Sequence, residues 1–374
     1  MLQSTSNGSD TGLKPALCLP IPTLSRHHPK DMQLTPDPEP FDQSTHLEIC
    51  PPQQVYTMEM NATAFPYSQS LQADESTLDF GITDAFQVLS DEGTEALVEI
   101  VERYKTDPRI AQSDNRAPLF MRGLGFVSPF IQELGNNSAI LELVSQLAQE
   151  PLAPHSMVQN YAHINVGQAH AKDASTKTEV DSLHADSVDY VLVLMLTDPA
   201  TFEGGELEAV KMQPLAQAME RIGAAGGVLD ESEDVVRINF SRKGQGMFMR
   251  GSQFLHRVRP VFMAGSECVA RVSCVFSFMS RNPRVPDATR FGTFANMSGD
   301  RYAHVEYARH KAWRVAGLLK AVEDVEFEAS REDVVALLSD ALAELQGAVR
   351  ILQGKEDDAM PYFDAKLKRF VTKR

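Results

Sequence analysis

Two periods of apolar residues divide the chain. Between Ser90 and about residue 150 they recur every three to four positions. Leu97, Ile100, Val101 and Tyr104 fall on one face of a helix that Ser90 caps and that Asp91 and Glu92 open with negative charge. A second helical stretch, 137 to 149, places Ile140, Leu141, Leu143, Val144 and Leu147 together and stops before Pro151. From residue 157 the period becomes two, in the runs MVQNYAHINV, VDYVLVLML, GELEAV, VVRINF, GMFMR, HRVRPV and ECVARVSCVFSF. Most have no crossover helix between them, which predicts an antiparallel barrel or sandwich within an α+β chain. PLAQAMERIGAAGG reads as a helical insertion.

After Asn296 the strand pattern ends. Residues 302 to 320 and 331 to 352 read as helices, with 323 to 329 as the turn of a helical hairpin. Ser330 with Asp333 predicts the second cap, and Val334, Leu338, Leu342, Leu345, Val349 and Leu352 form one stripe. This hairpin packs on the domain or on a second subunit, which leaves open a homodimer through the C-terminal helices. Ten of the 21 prolines precede residue 67, so residues 1 to 80 are expected to be an extended, poorly ordered leader.

Composition narrows the classes. With 43% apolar and 23% charged residues among 374, the chain reads as an ordinary soluble protein. A net charge of −16 opposes phosphate backbones and anionic lipid, so neither nucleic acid nor membrane is an expected partner. The basic run Lys366, Lys368, Arg369, Lys373 and Arg374 reads as a solvated tail. Cys18, Cys50, Cys268 and Cys274 form no CxxC pair; with no signal peptide or apolar span, a reducing, cytoplasmic location is expected. Cys268 and Cys274 read as core.

The chemistry centres on His184-Ala-Asp186 and, 72 residues on, His256. Positions two apart on a strand share a face, so His184 and Asp186 can meet one ion, and antiparallel folding can bring His256 opposite them. Two imidazoles and one carboxylate leave adjacent positions of an octahedral ion open, the arrangement of non-haem Fe(II) oxygenases. An HxD tripeptide alone is common by chance. What adds weight is Arg271 inside the apolar run VARVS, with Ser273 on its own side. Such an Arg is either a structural ion pair or a fork for a small carboxylate, with the Ser hydroxyl adding a hydrogen bond. Gly204 and Gly205 read as a turn, Met247 and Met249 as barrel filling, and Arg250, Arg257 and Arg259 as strand-edge charges near His256. The 171 to 178 loop could cover a site, and Asp189 and Tyr190 lie near the ligands in sequence.

The succession HAD, FEGGEL, GQGMFMRGSQFLHRVRPV and ARVSCVFSF resembles the Fe(II)/2-oxoglutarate-dependent dioxygenases of the prolyl-4-hydroxylase type, and VLSDEGTEALVEIVERY fits the same domain. The likeness runs over roughly residues 84 to 285. It implies a double-stranded β-helix (jelly-roll) core over 157 to 280, a helical layer over 90 to 150, and a C-terminal helical extension over 300 to 374. It further implies that His184, Asp186 and His256 hold Fe(II), that Arg271 and Ser273 hold the distal carboxylate of 2-oxoglutarate, and that O2 is consumed, with ascorbate as a candidate reductant. Family members place a Tyr before the GQ step; here the stretch is Tyr161-Ala-His163-Ile-Asn165-Val-Gly-Gln168, and Tyr161, His163 and Asn165 are each candidates for a second polar contact to the cosubstrate. Hydroxylation of a small molecule or peptidyl side chain is the expected outcome, with succinate and CO2 released. Asp186 stands where a halogenase of this family has a small residue and binds halide; desaturation or ring formation stays open. The alternatives are a non-catalytic metal-binding scaffold and a zinc hydrolase, the latter without an evident general base.

Overall fold

The computed structural model describes residues 18–22, 28–65, 80–113, 119–171, 179–211, 214–229, 234–265, 270–298 and 301–372. Most of the 171 to 178 loop, Cys268, and parts of the expected leader and basic tail lie outside them.

The capping signals are obeyed. Ser90 accepts from the Gly93 N–H at the start of helix Asp91–Tyr104, while Asn137, expected inside its helix, lies just before helix Ser138–Ala148 and caps it. Ser330 and Asp333 form a reciprocal capping box at the start of helix Arg331–Leu352.

Two antiparallel sheets make the body. The larger has Ala270–Ser280 at its centre, hydrogen-bonded on one side to Tyr190–Met195 and on the other to Ala162–Gln168. The smaller runs Val235–Ile238, Leu207–Val210, His256–Val258, Asp181–His184, and then the C-terminal strands Tyr362–Asp364 and Arg369–Val371. Because side chains alternate along a strand, the larger sheet has two buried faces. Leu192, Leu194, Phe248, Phe276 and Phe278 pack with the helices, while Val191, Val193, Met247, Met249 and Val275 pack with Leu207, Ala209, Val236 and Ile238 of the smaller sheet. Arg271 and Ser273 sit at the same parity as Val275, so the period of two sends them inward between the sheets. Cys274, of the other parity, is buried on the helical side.

Three expectations change. Residues 1 to 80 are not leader throughout: Gln54–Thr57 pairs with Phe80–Thr83 and with Ala62–Ala64, and so extends the larger sheet. The C-terminus is not helical throughout either, because Tyr362 pairs with His184 and Phe363 is buried beside Gly227, which gives that segment an apolar anchor that its charge pattern conceals. Finally, MVQNY is not strand. Val158–Tyr161 is a helical turn whose first N–H groups donate to Glu306, at 2.6 Å from Val158 and 3.3 Å from Gln159, and the strand begins at Ala162. A carboxylate 148 residues away thus overrides the local period. Helices Ala303–Glu323 and Arg331–Leu352 pack on each other, joined by the pairing of Glu344 with Lys311 and Arg314, both at 2.8 Å.

Candidate metal and cosubstrate site

The pairing of His256–Val258 with Asp181–His184 puts His256 directly opposite His184. The two rings lie 4.4 Å apart, and their Nε2 atoms stand 3.4 Å (His184) and 3.6 Å (His256) from Asp186 Oδ1. Each Nδ1 faces a backbone carbonyl, Ser182 O at 2.6 Å and Phe254 O at 3.3 Å. A carbonyl can only accept, so both Nδ1 atoms carry a proton, which leaves Nε2 of each ring, on the carboxylate side, as the atom that would bind a metal. Asp186 lies just past the end of its strand, not on it, and is held there by its own N–H donating to Gly251 O at 2.9 Å. Gly251 is required by space: a Cβ at that position would stand 1.9 Å from Asp186 Oδ2.

Charge is concentrated without neutralisation. Burial pushes the Asp186 pKa up, yet the His256 and His184 imidazoles outweigh it and hold the carboxyl well below the usual range. Its Oδ2 is buried with no hydrogen-bond partner. Among the described residues, His184, Asp186 and His256 form the one group of three such donors whose ligand atoms all lie within 4.8 Å of one another. Two imidazoles presenting Nε2 and a carboxylate with an orphaned buried oxygen fit a divalent cation with open positions.

Arg271 faces the same cavity, at 1% exposure. Its Nη1 donates to Ser273 Oγ at 3.3 Å, while Nε and Nη2 are buried without partners. Burial lowers its pKa to about 10, with Asp181 and Glu206 acting in the opposite direction, so the group remains charged at neutral pH. Gly205, at φ +75°, makes room for it, since a Cβ there would stand 3.0 Å from the Arg271 Cδ. An unpaired buried guanidinium costs several kcal/mol. A carboxylate arriving in the cavity removes that cost.

The remaining candidates separate. Asn165 and His163 lie across the ladder from Ser273 and Val275 and line the cavity. Tyr161 does not: it is fully buried under the helices, its hydroxyl donating to Gln132 O at 2.6 Å and accepting from Asn136 Nδ2 at 2.9 Å. The helical turn at 158–161 rotates it away. Asp189 accepts from the Ala288 N–H and Tyr190 contacts Glu150; neither lines the cavity. Arg257 pairs with Glu208 at 2.7 Å and Glu179 at 3.2 Å, and Arg250 stacks over Tyr190.

Arg122 is a residue that sequence reasoning misses. It lines the cavity, donates to Asn160 Oδ1 at 3.0 Å, and lies 5.8 Å and 5.9 Å from the Phe120 and Phe294 ring centres. Its sequence signal is the one that marks Arg271, an Arg inside an apolar run (LFMRGLGFV).

The family model described as Halogenase D matches residues 90–283, just over half of the 374 residues. The chain belongs to the Halogenase D family. The match spans the helical layer, the triad and Arg271. No curated protein matches the chain. Solved structures overlap it in part. The non-heme alpha ketoglutarate dependent epimerase SnoN from nogalamycin biosynthesis is 16% identical over 54% of this chain and 78% of that one, with a TM-score of 0.40. HygX from Streptomyces hygroscopicus, with nickel and 2-oxoglutarate bound, is 15% identical over 51% and 79%, with a TM-score of 0.37. AviO1 from Streptomyces viridochromogenes Tue57 is 16% identical over 55% and 91%, with a TM-score of 0.36.

Proposed function

We propose that the chain is an Fe(II)- and 2-oxoglutarate-dependent dioxygenase that hydroxylates a small molecule or peptidyl side chain, its catalytic domain over 84 to 285 being a double-stranded β-helix of the prolyl-4-hydroxylase type. The observation that carries this reading is the pair of partnerless guanidinium nitrogens of Arg271 in the cavity that also holds the His184, Asp186 and His256 donors. A metal-binding scaffold needs no buried cation there.

His184, Asp186 and His256 would hold the iron, which when bound supplies the O2 chemistry that couples loss of CO2 from 2-oxoglutarate to oxidation of the substrate. Arg271 grips the distal carboxylate and Ser273 adds a hydroxyl contact, so the diacid enters with its keto end toward the triad. Asn165 or His163 supplies a further polar contact. Val191, Val193, Met249 and Val275 line the cavity with apolar surface and keep water from it. Within a family described as halogenases, Asp186 supports hydroxylation: a carboxylate at that position would occupy the coordination place a halide needs. At the substrate end, Arg122 among Phe120, Asn160 and Phe294 suits an anionic group next to an apolar one.

Succinate release in the presence of Fe(II), 2-oxoglutarate, O2 and ascorbate tests the reading. Carboxylate-bearing amino acids and peptides should stimulate release and their amides should not. Asp186→Ala should abolish it while the melting temperature holds; unchanged release from that variant would refute the ligand assignment.

A further inference from the structure

Helix Arg331–Leu352 carries two apolar stripes. One, with Ala341, Glu344, Ala348 and Ile351, faces helix Ala303–Glu323 and the body; Ala341 and Ala348 are buried there. Val334, expected with the other stripe, belongs to this half-buried side. The second stripe is Val335, Leu338, Leu342, Leu345, Val349 and Leu352, each 38 to 55% exposed. Its spacing is 3, 4, 3, 4, 3, the seam of helices that pack along their length.

The stripe is symmetric about a point between Ala343 and Glu344. Reversed about that point, 335 falls on 352, 338 on 349 and 342 on 345, so every layer of an antiparallel pair matches apolar to apolar, as Val with Leu, Leu with Val and Leu with Leu. A 3, 4, 3, 4, 3 seam is symmetric in position by construction, and because all six residues are apolar a two-fold contact with an identical helix uses every layer of it. The flanks agree. Between Glu332 and Arg350 the stripe is bordered by Ser339, Ala343 and Gln346, none of them charged, so two copies of a chain bearing −16 can meet over the middle of this face without facing like charges. Six half-exposed Val and Leu side chains with the alanines between them present on the order of 500 Å² of apolar surface, at the upper end for a lone subunit. Two such faces bury roughly 1,000 Å², enough for a specific contact.

We propose that this stripe is the two-fold, antiparallel interface of a homodimer, with Leu342 of each copy against Leu345 of the other. The test is the mass of the full chain in solution by light scattering and sedimentation, with two single variants, Leu342→Lys and Leu345→Glu. Wild type should show twice the chain mass at micromolar concentration. Each variant alone should be monomeric, with association weakened at least about 100-fold, and should keep its circular dichroism and succinate release, since the substituted side chains face water within the subunit. Mixing the two should restore a dimer, because the ammonium introduced at position 342 of one copy then meets the carboxylate introduced at position 345 of the other. A wild type of single-chain mass at every concentration overturns the proposal, whatever then covers the stripe. Dimeric single variants overturn it too, and a mixture that stays monomeric overturns the antiparallel register.

Discussion

The two ends of the molecule bury charge in opposite ways. Beneath the C-terminal helices, Asp287 accepts from Lys311 at 2.7 Å and His310 at 2.9 Å, Glu344 accepts from Lys311 and Arg314, and Arg314 Nη2 donates to the carbonyls of Pro283 and Val285. Each charged side chain there meets one of opposite sign. Burial raises the Asp287 pKa, but His310 and Lys311 overcome it and leave the carboxyl well below its usual range. Between the sheets, Arg271 has two nitrogens and Asp186 one oxygen with no partner. A paired charge is a fastener; an unpaired one facing a cavity is a seat for something that arrives.

Arg314→Met gives the largest contrast. It leaves Glu344 short of a buried partner and should cost about 3 to 5 kcal/mol in denaturant unfolding, with 2-oxoglutarate affinity unchanged. If stability held, the C-terminal cluster would not be the fastener described. Arg271→Met should do the reverse: the loss of charge-assisted bonds weakens 2-oxoglutarate binding about 10- to 100-fold, while the melting temperature holds or rises because an unpaired buried charge is gone. A marked fall in stability would make Arg271 structural.

A smaller effect at any one pH belongs to Glu306, which joins the two regions by capping the Val158–Tyr161 turn. Burial, partly offset by the Val158 and Gln159 N–H groups, raises its pKa from 4.5 to about 7. The folded state therefore holds this proton more tightly than the unfolded one, so the contribution of Glu306 to stability falls as pH rises from 4.5 to about 7 and is level above that. Glu306→Gln removes the dependence. Relative to wild type the variant should gain about 1 kcal/mol per pH unit across that window, and parallel pH curves would show that Glu306 is not protonated there.

How much of this can be read from the sequence depends on how local each signal is. The caps at Ser90 and Ser330 are legible because both partners lie within three residues. The triad and Arg271 are legible because an HxD spacing and a charge in an apolar strand each leave a local mark, and strand parity then fixes the direction of Arg271. Tyr161 is misplaced by its strand-like pattern because the residue that bends its backbone, Glu306, is remote. Arg122 escapes notice although its apolar setting resembles that of Arg271, since its meaning comes from Asn160, 38 residues away. The pairing of Tyr362 with His184 has no local mark at all.

The central claim, that the triad and Arg271 form one seat for a metal and a diacid, is tested most directly by anaerobic titration of 2-oxoglutarate into the Fe(II)-loaded protein while watching the visible charge-transfer band. The account predicts a saturable band in wild type, displaced about 10- to 100-fold to higher 2-oxoglutarate in Arg271→Met with Fe(II) binding retained. Folded wild-type protein that binds Fe(II) yet shows no band, or a variant whose titration overlays that of wild type, would contradict it.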